Sequence, residues 1–225
     1  MKLIYTGKTK EVYELADGNY KLQFKDTATG RDGVFDPGEN AVGLTIDGLG
    51  KESLALTSYF FNLLNSRNIP NHFISADLDE GSMTVTPAKT FGKGLEVVCR
   101  VLATGSFVKR YGEYVTEGAP LNGLVEFTIK NDGLGDPPIT KDSLIALGIM
   151  TDDDFEACKS IIRKVASLIN ADLAAKGLTL YDMKLEFGKT DKGIIVVDEI
   201  SGGCMRVYKG DTWLQPMELN SLILS

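Results

Sequence analysis

Polar and apolar residues alternate along the segment Tyr181-Asp182-Met183-Lys184-Leu185-Glu186-Phe187. Because successive side chains of a β-strand point to opposite faces, this pattern predicts a strand with one apolar and one charged face. The apolar face, which we expect to lie in a core, carries Tyr181, Met183, Leu185 and Phe187. The charged face carries Asp182, Lys184 and Glu186. The segment therefore predicts a sheet with a row of charges on one side.

The next apolar segment, Ile194-Ile195-Val196-Val197, predicts a partner strand that ends in Asp198 and Glu199. If the connecting loop holds an odd number of residues, Asp198 lies opposite Lys184 on the charged face. Glu186 and Asp198 are then within reach of one cation, and carboxylates next to a lysine suit Mg²⁺ that holds nucleotide phosphates. The alternative is an exposed strand face with paired charges, although a charge directly after an apolar segment is costly to bury unpaired.

The composition of the chain is that of an ordinary globular protein. It has 225 residues, of which 43% are hydrophobic, ample for a core. Its formal net charge of −7 makes it a poor partner for nucleic-acid backbones or anionic lipid, so we expect no nucleic acid and no membrane as partners. The N-terminus lacks the apolar segment of a signal peptide, and no apolar run approaches the roughly 18 residues of a membrane helix. These features favour a cytoplasmic protein.

Cysteine and histidine exclude several kinds of site. Cys99, Cys158 and Cys204 are odd in number and far apart, which argues against a disulfide framework and favours a reducing compartment. They also lack the spacing of a zinc site. The single histidine, His72, excludes every scheme that needs two, and its position in Ile69-Pro70-Asn71-His72-Phe73 favours a polar side chain that fixes a turn.

Local patterns predict a strand-rich region followed by a mixed one. Thr151 begins the clearest helix, because it forms a capping box with Asp154, and Gly177 can cap its end. Asp17-Gly18 predicts a hairpin turn, whereas residues 27–50, rich in Gly and Asp, predict a long loop. We expect a helix at 51–67 and strands at 3–5, 11–15, 19–24, 73–75, 83–87, 95–102, 125–130, 178–187 and 194–199. The expected fold is α+β, with a β-rich N-terminal lobe of residues 1–87 and an α+β lobe of residues 88–225.

Two further groups of residues could bind phosphate. In Gly7-Lys8-Thr9-Lys10, glycine permits a tight turn whose backbone N–H groups and lysines can approach a phosphate, although an exposed basic turn is the alternative. Guanidinium groups bind phosphate monoesters through paired hydrogen bonds, and a Gly-Ser turn adds donors. The alternative for this second group is scattered surface arginines. Its members are Arg100, Ser106, Lys109, Arg110 and Arg206.

A series of short motifs runs from Tyr5 to about Arg206. They are Tyr5-x-Gly7-Lys8-x-Lys10-x-Val12-Tyr13, Phe24-Lys25-Asp26, Leu95-Glu96-Val97-Val98-x-Arg100, Gly105-Ser106-x-x-Lys109-Arg110, Lys130-Asn131-Asp132, Asp136-Pro137, Asp182-x-Lys184-Leu185-Glu186-Phe187-Gly188 and Asp198-Glu199-Ile200-Ser201. In this order they resemble the SAICAR synthetase family, the phosphoribosylaminoimidazole-succinocarboxamide synthases. The last two motifs are specific as a set.

The resemblance implies a two-lobed α+β fold with an ATP cleft between the lobes. It implies an ATP-dependent carbon–nitrogen ligase of de novo purine biosynthesis, which joins carboxyaminoimidazole ribonucleotide to L-aspartate. ATP would phosphorylate the ring carboxylate, and the aspartate amine would attack the acyl phosphate to give SAICAR, ADP and phosphate. The implied cofactors are ATP and Mg²⁺, the partners are these small molecules, and a homodimer is the expected assembly.

The resemblance also implies roles for individual residues. The ATP-binding residues would be Lys8, Lys10, Val12, Lys130, Glu186 and Asp198, of which Glu186 and Asp198 would also bind the metal. Lys184 would stabilise charge on the transferring phosphoryl group or the substrate carboxylate, and Asp182 is assigned with it to the catalytic residues. The 5′-phosphate of the ribonucleotide would be held by Arg100, Ser106 and Arg206.

Some positions depart from the family pattern, so the chain resembles a divergent member. Gly202-Gly203 replaces the usual Pro-Asp after Ser201, Tyr208-Lys209 replaces Trp-Asp, and the segment after them is shorter than in the family. These changes leave the amine substrate less defined than the ligase class. The alternatives are an amide ligase with another amine or another carboxylated heterocycle, a nucleotide-binding protein without ligase activity, and a small-metabolite kinase.

Overall fold

A computed structural model describes residues 1–36, 38 and 41–224. Its strands are β1 (Lys2–Thr6), β2 (Lys10–Glu14), β3 (Tyr20–Phe24), β4 (Thr27–Arg31), β5 (Val34–Phe35), β6 (Val42–Thr45), β7 (Phe73–Asp77), β8 (Ser82–Val85), β9 (Lys89–Thr90), β10 (Leu95–Leu102), β11 (Pro120–Ile129), β12 (Thr179–Thr190), β13 (Gly193–Val197), β14 (Met205–Lys209) and β15 (Thr212–Trp213). Its helices are α1 (Leu49–Ser66), α2 (Ser106–Tyr111), α3 (Lys141–Ala146), α4 (Asp152–Ala175) and α5 (Pro216–Leu224), with a 3₁₀ turn at Asp132–Leu134. None of the helices in these described ranges is both long and apolar enough to cross a membrane.

The first sheet has five antiparallel strands in the order β1-β2-β3-β8-β7. It confirms the strands predicted near the N-terminus and the hairpin turn at Asp17-Gly18. Gly18 has a φ of 85°, a left-handed conformation that glycine adopts without a steric penalty. The helix expected at residues 51–67 is present as α1, which begins two residues earlier at Leu49.

The long loop expected over residues 27–50 is wrong for most of that range. Strands β5, β4 and β6 form a small three-stranded sheet there, and residues 37, 39 and 40 lie outside the described part of the chain. Glycines in this sheet allow the backbones of neighbouring strands to pack closely. A Cβ on Gly30 would lie 2.1 Å from the carbonyl oxygen of Val34, and one on Gly43 would lie 2.3 Å from the carbonyl carbon of Gly30. The glycines that suggested a loop therefore lie in strands whose backbones approach too closely for side chains.

The larger sheet has β12 at its centre, in the order β11-β10-β12-β14-β15. β13 and β9 pair with the second half of β12 on its two opposite edges, and β14 pairs with the first half. Met183, Leu185 and Phe187 lie in the core, as predicted. Tyr181 does not, because the register with β14 shifts between Leu180 and Asp182. Leu180 takes the core position, and the Tyr181 ring stacks on Tyr208 with centroids 3.8 Å apart.

Helix α4 covers the apolar face of this sheet. Thr151 is its N-cap, and the predicted capping box with Asp154 is formed in both directions. Gly177 follows the C-cap residue, Lys176, with a φ of 71°, which agrees with its expected capping role. The predicted apolar stripe is buried throughout: Phe155, Cys158, Ile162, Val165, Ile169 and Leu173. Helices α2, α3 and α5 were not predicted from the sequence.

The two larger sheets come from different parts of the chain. The five-stranded sheet lies within residues 2–85, and the β12-centred sheet lies within residues 89–213. We therefore keep the boundary near residue 87 as a proposal. One continuous apolar cluster contains residues of both sheets, for example Leu22 and Leu185. Helix α5 returns to the N-terminal part and packs on α1, where the Asn220 amide donates to Glu52 Oε2 at 3.1 Å.

We expect Ile162→Ala to lower the free energy of unfolding by about 2–5 kcal/mol, because the side chain is fully buried in α4 and its loss leaves a cavity. Urea denaturation followed by circular dichroism measures this change. Ile145→Ala, at a 40% exposed position on α3, is the matched control and should cost about 1 kcal/mol or less. Equal effects of the two changes would contradict the assigned core.

The three cysteines are free thiols; Cys99 and Cys158 are buried and Cys204 is half-buried. Burial raises the pKa of Cys99 to about 11 and those of Cys158 and Cys204 to about 12. The thiolate is the reactive form, so a raised pKa keeps these groups unreactive until the pH approaches that value.

In the folded protein at pH 8 we expect all three thiols to react with Ellman's reagent much more slowly than a free cysteine, and all three to react at once in urea. The slow rate should rise as the pH rises. Absorbance at the wavelength of the released dye gives the rate and the count. A thiol that reacts rapidly before unfolding would contradict the burial described here, and Cys204→Ser would identify whether it is the half-buried one.

Candidate active site

The register of β12 with its neighbours produces two rows of charged residues on one face of the larger sheet. Asp182 lies directly between Arg100 on β10 and Arg206 on β14. Nearer the other end of β12, Glu186 lies opposite Glu96 on β10. Because directly paired residues share a face, the predicted charged side of β12 is extended by both of its neighbours. We call the two groups the arginine cluster (Asp36, Arg100, Ser106, Asp182, Arg206) and the lysine–carboxylate cluster (Lys10, Glu96, Lys130, Lys184, Glu186, Asp198, Glu199).

In the lysine–carboxylate cluster, each lysine is paired with a carboxylate. The Lys184 ammonium lies 2.9 Å from Glu96 Oε1. The Lys130 ammonium lies 2.7 Å from Glu186 Oε1. Alternating charges thus stabilise one another in a partly buried site, where an unpaired charge would be costly.

Lys10 is the most enclosed of these lysines, with a side chain that is 8% exposed. Its ammonium donates to Glu199, lies 3.2 Å from Asp198 Oδ1, and donates to the Thr9 hydroxyl at 3.2 Å. An ammonium has three N–H groups, so all of the donors of Lys10 are engaged within the protein. The Glu199 carboxylate also accepts from the Ser201 hydroxyl at 2.5 Å.

Burial and mutual contacts shift the pKa values in this cluster. Burial, and next the nearby Asp198 carboxylate, raise the pKa of Glu186. Burial acts in the same direction on Asp198, but Lys10 and Lys130 outweigh it and lower the pKa of Asp198. Burial would lower the pKa of Lys184, but the contact with Glu96 outweighs it and holds that pKa above its usual value. Lys184 is therefore a cation at neutral pH, close to two carboxylates that repel one another.

Asp198 lies in the cluster because of a backbone turn that the sequence did not predict. The turn between β12 and β13 holds Asp191 and Lys192, because Thr190 pairs with Gly193. The loop is therefore even in length, and the condition for placing Asp198 opposite Lys184 is not met. Instead β13 ends at Val197, and Asp198 turns with a φ of 66°.

The arginine cluster is built around the buried carboxylate of Asp182, which is 3% exposed. Arg100 Nη1 donates to Asp182 Oδ2 at 2.8 Å, and Arg206 Nη1 donates to the same oxygen at 3.0 Å. Arg100 Nη2 donates to the Ser106 hydroxyl at 3.0 Å, and Arg206 Nη2 donates to Asp36 Oδ1 at 3.2 Å. Asp182 thus fixes the two guanidinium groups that the sequence singled out, side by side.

The backbone at Gly105 packs directly against the Arg206 guanidinium. A Cβ at this position would lie 2.9 Å from Arg206 Cζ, so only glycine fits. Ser106 is the first residue of α2. Lys109 and Arg110 lie farther along this helix and are exposed, and Arg110 pairs with Glu126, which also accepts from Arg100 Nε at 2.6 Å. Glu126 was not singled out from the sequence.

A cavity of about 470 Å³ lies over the lysine–carboxylate cluster, between it and the first sheet. One side is apolar and includes Val12, Leu22 and Phe24. At its edge the Lys8 ammonium lies 2.7 Å from Asp132 Oδ1, which links the turn after β1 to the 3₁₀ turn. Of the residues that the sequence predicted for the site, the cavity is lined by Lys8, Lys10, Val12, Lys130, Lys184, Glu186 and Asp198. Four predicted residues lie in the adjoining arginine cluster and do not line it: Arg100, Ser106, Asp182 and Arg206.

The sequence assigned no role to several residues that line the cavity, such as Glu96 and Asp132. Glu96 had a signal: it is a charged residue in the otherwise apolar first half of β10, and it is 6% exposed. Pro216 had none, because its contact depends on how α5 folds back. A Cβ on Gly202 would lie 2.8 Å from Pro216 Cα, so the glycine makes room for the start of α5 at the cavity wall.

His72 does not fix the turn in which it lies. Asn71 has that role, because its side-chain oxygen accepts from the Phe73 backbone N–H at 3.0 Å. The His72 ring is buried instead, with Nε2 located 3.0 Å from the backbone oxygen of Asp198. Burial lowers the pKa of His72 to about 4, so the ring is neutral at pH 7.

In residues 1–36, 38 and 41–224, no group of three or more His, Cys, Asp or Glu side chains is arranged to hold a metal ion. Glu186 and Asp198 nevertheless lie close enough to affect each other's protonation. Mg²⁺ in nucleotide sites is commonly bound by one or two carboxylates together with phosphate oxygens and water. The donor set therefore fits Mg²⁺ that arrives with a nucleotide, and it does not form a complete site by itself.

Comparisons with known proteins show the family of the chain. The family model for SAICAR synthetase matches residues 3–221. A phosphoribosylaminoimidazole-succinocarboxamide synthase from Clostridium tetani is 50% identical over 226 aligned positions that cover 100% of both chains. One from Finegoldia magna is 37% identical and covers 94% of this chain and 88% of that protein.

A solved structure has the same fold. It is a SAICAR synthetase (Type-2) in complex with ADP, with a TM-score of 0.81 and 34% identity over 92% of this chain and 84% of that chain. The fold, the match over nearly the whole length and the identity to curated relatives together show that the chain belongs to the SAICAR synthetase family.

Proposed function

We propose that the chain is an ATP-dependent carbon–nitrogen ligase of purine biosynthesis, which joins carboxyaminoimidazole ribonucleotide to L-aspartate and forms SAICAR, ADP and phosphate. The observation that carries the proposal is the pair of clusters on one face of the same sheet. Glu186 follows Asp182 by four residues on β12. Their separation along an extended strand is about 13 Å. This span suits a ribonucleotide whose phosphate is bound at one end and whose ring carboxylate reacts at the other.

The cavity over the lysine–carboxylate cluster suits ATP. Its volume of about 470 Å³ lies within the usual range for small-molecule sites, and its apolar side can hold a base. Lys8 and Lys130 are the cations best placed for phosphates, because their side chains are 38% and 41% exposed and each has one carboxylate partner that it can exchange. Lys10 is expected to position Asp198, since its own donors are engaged. A related structure is a complex with ADP, which supports nucleotide binding by this chain.

Glu186 and Asp198 would hold Mg²⁺ together with the phosphates of ATP. When bound, the metal would neutralise phosphate charge and the repulsion between the two carboxylates. Release of Lys130 from Glu186 would leave that carboxylate available and supply a cation to the nucleotide. The cluster can therefore accept both the metal and the triphosphate by exchanging partners that it already contains.

The chemistry consists of two substitutions. An oxygen of the ring carboxylate attacks the γ-phosphorus of ATP, the bond to ADP breaks, and an acyl phosphate forms. The amine of aspartate then attacks the acyl carbon, the carbon–oxygen bond to phosphate breaks, and the nitrogen loses a proton. Lys184 stays protonated beside Glu96, so it acts as a cation that stabilises the negative charge of both substitutions and does not act as a base.

The arginine cluster would bind the 5′-phosphate of the ribonucleotide. Asp182 holds the Arg100 and Arg206 guanidinium groups side by side, and each has a second carboxylate partner, Glu126 and Asp36 respectively. The Asp36 side chain is 34% exposed, so we propose that an incoming phosphate replaces it as the partner of Arg206. The Ser106 hydroxyl lies beside them and can add a donor. Asp182 accepts from both guanidinium groups and its negative charge would repel a phosphate, so we propose that it positions the arginines and does not contact the substrate. This revises the catalytic role expected for it from the sequence.

The amine partner rests on the relatives, whose names specify the succinocarboxamide product. Near the cavity, Gly202-Gly203 occupies the place of the family's Pro-Asp, and Gly202 packs against Pro216. The residues that bind the amine are therefore expected around the start of α5. A homodimer, implied by the resemblance, and a cytoplasmic location, favoured by the sequence features, remain proposals.

We expect the purified protein to release ADP from Mg-ATP and carboxyaminoimidazole ribonucleotide only when L-aspartate is present, with formation of the succinocarboxamide. A coupled assay for ADP and mass spectrometry of the product measure both. Lys184→Ala should slow turnover by orders of magnitude, because it removes the cation at the reacting groups. Lys192→Ala, at an exposed turn outside the cavity, is the matched control and should behave as the wild type.

The outcomes of this assay separate the alternatives. ADP release with a different amine would identify a related amide ligase. ADP release without any amine, together with a stable phosphorylated product, would identify a kinase. Nucleotide binding without turnover under any of these conditions would leave a binding protein and reject the ligase.

We expect Arg206→Ala to raise the KM for the ribonucleotide about 10- to 100-fold, because one charged hydrogen-bonding group is lost. The KM for ATP should change little. Steady-state kinetics with each substrate varied in turn measure the two values, and thermal unfolding checks that the variant folds. Arg67→Ala, an exposed arginine at the end of α1, is the control. An increase confined to the KM for ATP would show that the arginine cluster is not the phosphate site.

A further inference from the structure

The backbone at Asp198 takes a conformation that its strand does not dictate. Val197 lies opposite Glu186 on the charged face, and Val196 lies opposite Phe187 on the core face. If β13 continued regularly, Asp198 would pair with Leu185 and point into the core. The chain turns into the left-handed region instead, with a φ of 66°, and the carboxylate reaches Lys10 in the cavity. A residue with a side chain needs support from its surroundings to keep this conformation.

The single histidine of the chain supplies a support for this turn. His72 is 4% exposed, and its Nε2 atom lies 3.0 Å from the backbone oxygen of Asp198. A carbonyl oxygen only accepts, so Nε2 carries the hydrogen and donates it. Within the described residues, the His72 ring is the one group from another element that forms a hydrogen bond with the Asp198 carbonyl.

The position of the His72 ring is itself well fixed. The backbone N–H of His72 donates to the Val196 oxygen at 3.0 Å, and its oxygen accepts from Thr86 N at 2.7 Å. The ring packs against Phe61, with centroids 5.3 Å apart. These contacts tie His72 to β13, just before the turn, and to the segment after β8. These contacts therefore fix the position of the donor relative to the turn.

We propose that His72 is a positioning residue that sets the Mg²⁺-dependent affinity for nucleotide, because its Nε2–H bond to the Asp198 carbonyl holds the left-handed turn that presents the Asp198 carboxylate to the cavity. The inference rests on the proposed function in that Asp198 is taken to bind Mg²⁺ with the nucleotide. His72 touches neither substrate nor metal in this scheme; it acts through the backbone of Asp198.

A merely structural role for His72 would have a different signature. A core histidine that only fills space would, when replaced, lower the stability and reduce all activities together. A positioning residue should change the part of nucleotide binding that depends on Mg²⁺ and leave the metal-free part in place. It should also be replaceable by a side chain that returns the N–H donor, irrespective of ring packing.

Calorimetric titration of the full-length protein with ADP, with Mg²⁺ and with EDTA, tests this difference. His72→Phe keeps a ring and removes the donor, whereas His72→Gln returns an N–H near the Nε2 position. We expect His72→Phe to weaken Mg-ADP binding at least tenfold and to leave metal-free ADP binding within about threefold of the wild type. His72→Gln should restore Mg-ADP binding to within about threefold. Phe61→Leu, which loosens the packing of the His72 ring and of the surrounding core but keeps the N–H donor, should lower the melting temperature and keep the Mg²⁺ dependence.

A second measurement uses the wild-type protein and does not depend on a variant that folds. The chain has one histidine, so ¹⁵N-histidine labelling gives one pair of imidazole nitrogen signals. We expect the signal of a protonated Nε2 and an unprotonated Nδ1 at pH 7. The opposite tautomer would overturn the proposal.

Three results of the titration would also overturn it: unchanged Mg-ADP binding by His72→Phe, equal loss in the Phe and Gln variants, or an equal loss in Phe61→Leu. Failure of the proposed function gives a different result. A wild-type protein whose ADP binding depends on Mg²⁺ but which forms no amide would reject the ligase and leave the role of His72 intact. A wild-type protein whose ADP binding ignores Mg²⁺ would reject the role of His72.

Discussion

The pleat of β12 is the constraint on which the site depends. One face of this strand packs under α4, with Met183, Leu185 and Phe187 in the core. A slip of one residue would put these apolar side chains on the cavity side and bury the charges. The same packing that stabilises the fold therefore fixes which residues face the substrates. It also aligns the neighbours, since β10 and β14 contribute Arg100 and Arg206 at the level of Asp182.

The charges on this face neutralise one another before any ligand arrives. Lys184 is paired with Glu96, Lys130 with Glu186, and Lys10 with Asp198 and Glu199. Pairing lowers the cost of holding these groups in a partly buried site, and it fixes their geometry in advance. A ligand with phosphates and a cation brings both signs of charge, so it can enter by exchange of partners. The fold thus holds the polar groups of the reaction close to where they are needed.

Much of this arrangement could be predicted from the sequence, because it follows from periodicity. Alternation along β12 gave the charged face, and the capping box at Thr151 gave the start of α4. The motifs located the lysines and arginines. Periodicity could not predict where an irregular backbone changes the direction of a side chain. The bulge beside Tyr181 and the left-handed turn at Asp198 each redirect a side chain, and no pattern of residue types predicts them.

Contacts between distant parts of the chain also could not be predicted from the sequence. The small sheet of β4, β5 and β6 has too many glycines to look like strands, because its backbones pack together without side chains between them. The return of α5 to α1 and to Gly202 depends on surfaces that exist only in the folded protein. Asp182 shows how far a role can be predicted from the sequence. Its residue type and its strand face could be predicted, but its burial in contact with two arginines could not.

The opposition of Glu96 and Glu186 across β10 and β12 has a consequence for engineering. Like charges that face each other directly in an antiparallel pair are destabilising, and Asp198 adds a third acidic group nearby. Neutral replacement of Glu96 or Glu186 would relieve this repulsion but would also leave Lys184 or Lys130 without its carboxylate partner, so gains in stability from this row should be small. Such gains would be made at the expense of turnover, the usual trade-off between stability and activity. Improvements that preserve activity should be sought on the solvent face of α4, where the charged residues have no part in the reaction.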